Sequence, residues 1–235
     1  MNMKYCHLPI VIIILFFFML GSPENSSAWN DETHLAIAKA AGYYKWFNAA
    51  GADMIKIKAG KIEGSNHYVN NSRHAVITPP IIEAQMKRYN QQDRDGHLYG
   101  AIVHAVRDYV EMRKKEKYGE YHLAFCAHYI GDLSMPMHNV FYSAFNKKFH
   151  RKMEKWVNEE GLDSLVGNIT IYPVKIDSEK DLIKEIARIA NISIALGYRL
   201  ESENRLITRP EAYQQLSHSA SLFKAVLDYV NMISD

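Results

Sequence analysis

Between residues 128 and 154 the chain reads His128-x3-Asp132-x5-His138-x11-His150-x3-Glu154. Five side chains able to bind a metal thus fall within 27 residues. His128/Asp132 and His150/Glu154 are each spaced i,i+4, so on a helix each pair projects from one face. Imidazole plus carboxylate is the ligand set that suits zinc at a hydrolytic site. Five ligands are too many for one closed tetrahedral ion. The string therefore points to a multinuclear site, and such sites mostly cut phosphate esters.

The rest of the chain carries helical periodicity. Asp31 or Thr33 is placed to cap a helix running to about Tyr44. A second amphipathic helix spans 46–60, and the turn-rich 61–80 reads as an irregular loop. Helices follow from Pro80 to about Tyr89 and over 97–115, the latter with Leu98, Ile102, Val103, Val106 and Val110 on one stripe. Residues 119–134 form a strongly apolar helix carrying His128 and Asp132. Pro136 breaks it, which leaves His138 on the next segment and His150/Glu154 on a further helix. The run Ile169–Ile176 reads as one short strand or an extended connector. Ser178, with Asp181 at the third helical position, starts a long helix to about Leu200. Thr208, with Pro210 and Glu211, starts a last one to about Met232. The expectation is an all-α, multi-helix single domain of seven to nine helices over residues 29–235.

Residues 1–28 read as a secretory signal: Lys4, the apolar run Leu8–Leu20, then the small polar stretch Gly21–Ala28. Cleavage after Ala28 would leave Trp29 as the N-terminus of an exported protein, periplasmic or secreted. The apolar run is short for a transmembrane span. Cys6 lies in the signal, so Cys126 is the one mature cysteine and no intramolecular disulfide can form. Stability must then come from the core or from metal. A formal net charge of +2 is no polybasic signature, and it argues neither for nor against nucleic acid.

The segment Ala127-His128-Tyr129-Ile130-Gly131-Asp132-Leu133-Ser134-Met135-Pro136-Met137-His138 resembles the His-Tyr/Phe-x-Gly-Asp-x-x-Gln-Pro-x-His segment of the zinc-dependent phospholipase C / S1–P1 nuclease superfamily. Ser134-Met135 departs from the usual pair before Pro, at positions that are not ligands. Trp29-Asn-Asp-Glu-Thr-His34 resembles the family's mature N-terminus. There a Trp freed by signal cleavage binds zinc through its amino nitrogen and carbonyl oxygen. A terminal amine loses its proton far more easily than a lysine does, which suits that task.

The resemblance implies an α-helical exported enzyme with three zinc ions in a cleft. His138, His150 and Glu154 would hold one ion. His128 and Asp132 would hold a second, completed by an upstream acid and histidine. Trp29 and His34 would hold the third, with Asp132 bridging it to the second. Gly51-Ala52-Asp53 and Asn66-His67-Tyr68-Val69-Asn70 resemble the family segments that carry the upstream pair, so Asp53 and His67 are the first assignment. The His34–Asp53 interval is shorter than in the family, and Glu63 with His74 is the rival pair. Asp53 is also the candidate to orient or deprotonate the attacking water.

His104/Asp108 shares the i,i+4 spacing but matches no family segment, and reads as an outer or surface pair. His97, His122 and His218 read as structural or exposed. Tyr43, Tyr44, Trp46 and Phe47 read as core or cleft lining rather than a base-stacking platform. The activity implied is phosphodiester hydrolysis by a monomer. Phospholipase C-type cleavage of phospholipid, with transient membrane-surface contact, is the first reading. A single-strand nuclease/3′-nucleotidase acting on nucleic acid is the second. An exported metal-binding protein that has lost turnover is the third.

Overall fold

The computed structural model describes residues 31–233. The predicted signal and Trp29 lie outside the described residues. Among those described, the fold is built of helices and turns without a strand. The α-helices are α1 (Asp31–Ala40), α2 (Gly51–Ala59), α3 (Lys61–Gly64), α4 (Pro79–Met86), α5 (Leu98–Lys114), α6 (Glu120–Ser134), α7 (Ala144–Asn158), α8 (Leu162–Asn168), α9 (Glu179–Glu203) and α10 (Arg209–Met232). Two single-turn 3₁₀ segments, Trp46–Asn48 and Pro136–His138, complete them. The short α3 and α8 take the number past the seven to nine expected.

Local chemistry accounts for most boundaries. Ser143, Ser178 and Thr208 each accept a hydrogen bond from a first-turn backbone N–H of the helix they precede. Thr208 and Glu211 form the full reciprocal box, with Pro210 in the first turn. The first helix ends at Ala40 rather than near Tyr44 because Gly42 turns the chain at φ +82°. The 46–60 segment is divided into a 3₁₀ turn and α2, and Gly60 then separates α2 from α3.

Of the two readings of 169–176, a short strand or an extended connector, the structure takes the connector. Its alternating apolar residues find no partner strand. Thr170 and Tyr172 donate their backbone N–H groups to Ser217 Oγ (2.9 Å) and Ser221 Oγ (2.7 Å) of α10. Hydroxyls on a helix thus satisfy donors that a neighbouring strand would otherwise take.

The organising element is α6. It packs against α5, α10, α9, α1 and α2. Residues on every side of it are buried, from Leu123 and Ala124 round to Leu133 and Ser134, as a helix enclosed by neighbours requires. The α5 stripe is core as its spacing predicts: Leu98, Ile102, Val103 and Val106 are buried and Val110 packs at the edge. A Cβ at Gly100 would lie 2.6 Å from the Gln85 carbonyl carbon, so only glycine lets α5 approach α4 this closely. Of the four aromatics expected in the core or cleft, Tyr43 is buried and Trp46 packs against the core. Tyr44 and Phe47 are exposed, because they lie on the outward side of the turn that follows Gly42.

Candidate metal centre

Five histidines and three carboxylates converge around α6, brought there by α1, α2, α7 and the turns that follow α3 and α6. His34 comes from α1 and Asp53 from α2. His67 lies in the turn after α3, and His128 and Asp132 lie on α6. His138 closes the 3₁₀ turn behind Pro136, and His150 and Glu154 lie on α7. These residues form three sets whose ligand atoms lie within 4.8 Å of one another: His34/His128/Asp132, Asp53/His67/His128 and His138/His150/Glu154. Every sequence-predicted ligand among the described residues is in a set.

Asp132 sits at the centre and is fully buried. Its Oδ2 lies 2.9 Å from His67 Nδ1 and 3.5 Å from His128 Nε2. Its Oδ1 lies 3.7 Å from His34 Nε2 and 3.5 Å from His138 Nδ1. Asp53 Oδ1 is 3.7 Å from both His67 Nδ1 and His128 Nε2. Ligands at about 2.1 Å from a tetrahedral ion stand roughly 3.4 Å apart. The separations just given among His67 Nδ1, His128 Nε2, Asp53 Oδ1 and Asp132 Oδ2 run from 2.9 to 3.7 Å, around that value. In the third set Glu154 Oε1 lies 3.5 Å from His138 Nε2 and 2.7 Å from His150 Nε2.

The rings are held from behind. His128 Nδ1 meets the Ala49 carbonyl at 3.0 Å and His138 Nδ1 the His67 carbonyl at 2.5 Å. His150 Nδ1 meets Asn146 Oδ1 at 3.1 Å, and Asn146 in turn donates to the Met137 carbonyl at 2.7 Å. Tying up Nδ1 fixes the tautomer and turns Nε2 toward the other donors, as outer partners of metal-bound histidines do. Asn139 donates to the Leu133 (2.9 Å) and Met135 (2.8 Å) carbonyls at the end of α6, and so locks the turn that carries His138.

Several buried atoms here lack a hydrogen bond: both His34 nitrogens, both Asp53 oxygens, Nε2 of His67, His128, His138 and His150, Asp132 Oδ1 and Glu154 Oε1. Buried polar atoms are costly without partners. Atoms of all eight predicted ligands share this property, at separations a metal ion would satisfy. This donor set could hold metal ions.

The electrostatics agree. Burial pushes His34 and His67 well below the ordinary imidazole range and lowers His128 to about 4. Neutral imidazole is the form that ligates. Burial, reinforced by Asp53, pushes Asp132 well above the ordinary carboxylate range, so a cation is what would keep it ionised there. Glu154 is lowered: burial raises it, but His138 and His150 outweigh that.

Of the two upstream pairs, the structure brings Asp53 and His67 into the sets. His74 is exposed and belongs to none of them. Glu63 is buried beside the site but engaged elsewhere. It accepts from Tyr129 Oη at 2.5 Å and Asn66 Nδ2 at 3.0 Å, with its Oε1 3.4 Å from His67 Nε2. Asn66 Oδ1 lies 2.8 Å from His97 Nε2, which gives His97 its structural role. His104 meets the Met86 carbonyl and stacks on Tyr89, while Asp108 faces His122 at 3.8 Å, so the decoy pair takes no part.

No protein-family model matches this chain, and no curated protein matches it.

Proposed function

We propose that this chain is an exported zinc-dependent phosphodiester hydrolase of the phospholipase C type, holding three zinc ions. The observation that carries the reading is the Asp132 carboxylate, one oxygen facing the Asp53/His67/His128 set and the other facing His34. His34 and Asp132 would hold one ion with Trp29. Asp53, His67, His128 and Asp132 would hold the second, and His138, His150 and Glu154 the third. Bound zinc supplies Lewis acidity that polarises a phosphoryl oxygen and acidifies water at neutral pH.

The chain's own groups divide the remaining work. Asp53 has no hydrogen bond to either oxygen, which leaves it able to orient the attacking water and take its proton. Lys56 Nζ stands 3.7 Å from Asp53 Oδ1 at the cavity wall, placed to hold a phosphoryl oxygen. Asn146 and the Ala49 and His67 carbonyls hold the rings in register.

The test is metal stoichiometry on the mature protein with Trp29 verified as N-terminus, with phospholipid, single-stranded DNA and bis(p-nitrophenyl) phosphate hydrolysis on the same sample. About three zincs with phospholipid cleaved is the expected result. Three zincs with only DNA cleaved would replace the phospholipase reading by the nuclease one. One zinc or none, with nothing cleaved, would overturn the hydrolase.

A further inference from the structure

Met54, Tyr44, Tyr118 and Phe47 each hold more than half of their surface in solvent, and Ile55 and Tyr121 are exposed as well. Contacts join these residues into one face. Lys45 Nζ lies 4.9 Å from the centre of the Tyr44 ring and 5.0 Å from that of Tyr118. Tyr118 meets Tyr121 at 6.5 Å between ring centroids, and Tyr121 meets Phe125 at 6.1 Å. Phe125 in turn lies against the start of α2, where a Cβ at Gly51 would touch it at 3.7 Å. Phe47 sits in the 3₁₀ turn that leads into α2. That helix turns Asp53 inward to the ligand sets and Met54 and Ile55 outward. Single exposed apolar side chains are ordinary, whereas a connected set marks a contact surface.

Lysines flank this face. Lys58 and Lys61 lie at one end of it, and Lys114 and Lys117 precede Tyr118; all four are exposed. Lys45, Lys56 and Lys115 are already paired, with Glu120, Asp53 and Glu111. The exposed acids Glu116 and Asp31 oppose the four lysines, which leaves an excess of positive charge. Aliphatic tips, tyrosines with a ring to bury and a hydroxyl to keep wet, and interleaved lysines suit the head-group layer of an anionic bilayer. A nucleic acid matches less well. Tyr44 and Tyr118 already hold Lys45 against their rings, and Met54 and Ile55 offer a base nothing to stack on. A second copy would set lysines against lysines. Resting on the phospholipase reading above, we infer that this face docks on the surface of an anionic bilayer, with α2 between the lipid and Asp53. The cavity lined by Lys56 of the same helix, His67 and His138 then draws its substrate from that surface.

The test is sedimentation of the zinc-loaded mature protein with vesicles of phosphatidylcholine alone and of phosphatidylcholine mixed with phosphatidylglycerol. Hydrolysis of vesicle lipid and of soluble bis(p-nitrophenyl) phosphate is followed on the same samples. Binding to the mixed vesicles should be at least about tenfold tighter and should weaken as salt is raised. Phe47→Ser and Met54→Ser, made together, should lose about tenfold or more in vesicle binding. Lys58→Gln with Lys117→Gln should lose the preference for the anionic lipid. Neither pair should alter turnover of the soluble ester. Val76→Ser is the control: Val76 is exposed next to Ile77, which bonds Asn191 of α9, and its loss should leave vesicle binding unchanged. Unchanged thermal unfolding establishes that the variants fold. Binding to neither vesicle, or undiminished binding by the Phe47/Met54 pair, overturns the inference. So does a parent dimer that this pair converts to monomer, or oligo(dT) binding that the pair loses while vesicle binding is kept. Vesicle binding with no substrate hydrolysed leaves the docking face standing and fells the hydrolase. Turnover of the soluble ester without vesicle binding does the reverse.

Discussion

The imidazole of His34 lies flat on that of His128, with ring centroids 3.7 Å apart and planes 11° from parallel. Gly131 is what admits it: a Cβ at that position would stand 2.4 Å from His34 Nδ1. Gly131→Ala should therefore push His34 off its stack and empty the ion site it serves. The expected result is a cost of about 1–3 kcal/mol in stability from overpacking, and one zinc fewer per chain by elemental analysis. A fully loaded Gly131→Ala protein would show that His34 is no ligand.

Asp132→Asn removes the charge shared between two sets while keeping the volume. Turnover should fall at least about 100-fold, because losing a ligand carboxylate should cost more than the roughly 10–100-fold that losing an outer partner does. Bound zinc should drop below three. Wild-type-like turnover on bis(p-nitrophenyl) phosphate would sink the trinuclear arrangement.

Glu63 and Asp53 are separable by their metal-binding defects. If Glu63 steadies His67 from outside, Glu63→Gln and Tyr129→Phe should weaken one zinc roughly 10–100-fold yet still load three ions at saturating metal. Asp53→Asn should lose an ion even at saturation. Competition with a chromophoric chelator reads both. A Glu63→Gln protein that stays one ion short at saturation would make Glu63 a ligand.

Acid should destabilise the metal-stripped protein. Burial lowers His34, His67, His128 and His138, so these rings stay neutral when folded and take up protons near pH 6.5 when unfolded. Their contribution is present above pH 6.5 and is lost as pH falls, for His128 between 6.5 and about 4. Asp132 and Glu63, raised by burial, act in the opposite sense, their contribution being lost as pH rises through their raised values. Four rings against two carboxyls leave a net loss of stability on going from pH 7.5 to 5. Urea midpoints of EDTA-treated protein should fall accordingly, and a higher midpoint at pH 5 would contradict the assignment of neutral rings.

Much of this was legible in the sequence because its signals are local. Ser178 and Thr208 announce their helices within three residues. The i,i+4 pairs announce shared faces, and the apolar run 119–134 announces a helix enclosed by others. The short α3 was missed because Gly60 and Gly64 make residues 60–64 look like loop. The connector at 169–176 alternates like a strand, and only Ser217 and Ser221, some fifty residues on, decide otherwise. The supports behind the ligands were equally hidden. Glu63 meets Tyr129, and Asn71 Nδ2 donates to Tyr99 Oη (2.8 Å), which donates to Asn139 Oδ1 (2.8 Å). Such pairings join residues far apart in the chain and leave no periodicity. Asn146, four residues before His150, was the one support that spacing could have revealed.

The enclosure of α6 by helices from both ends of the chain has a consequence for synthesis. All eight candidate ligand side chains have been made once Glu154 has been added, but α9 and α10, which wall in the back of α6, come last. A nascent chain thus owns the full set of donors before it owns the scaffold that aims them. A chain terminated between Glu154 and Arg209 would carry all eight candidate ligand side chains and still lack α10, the helix that backs α6.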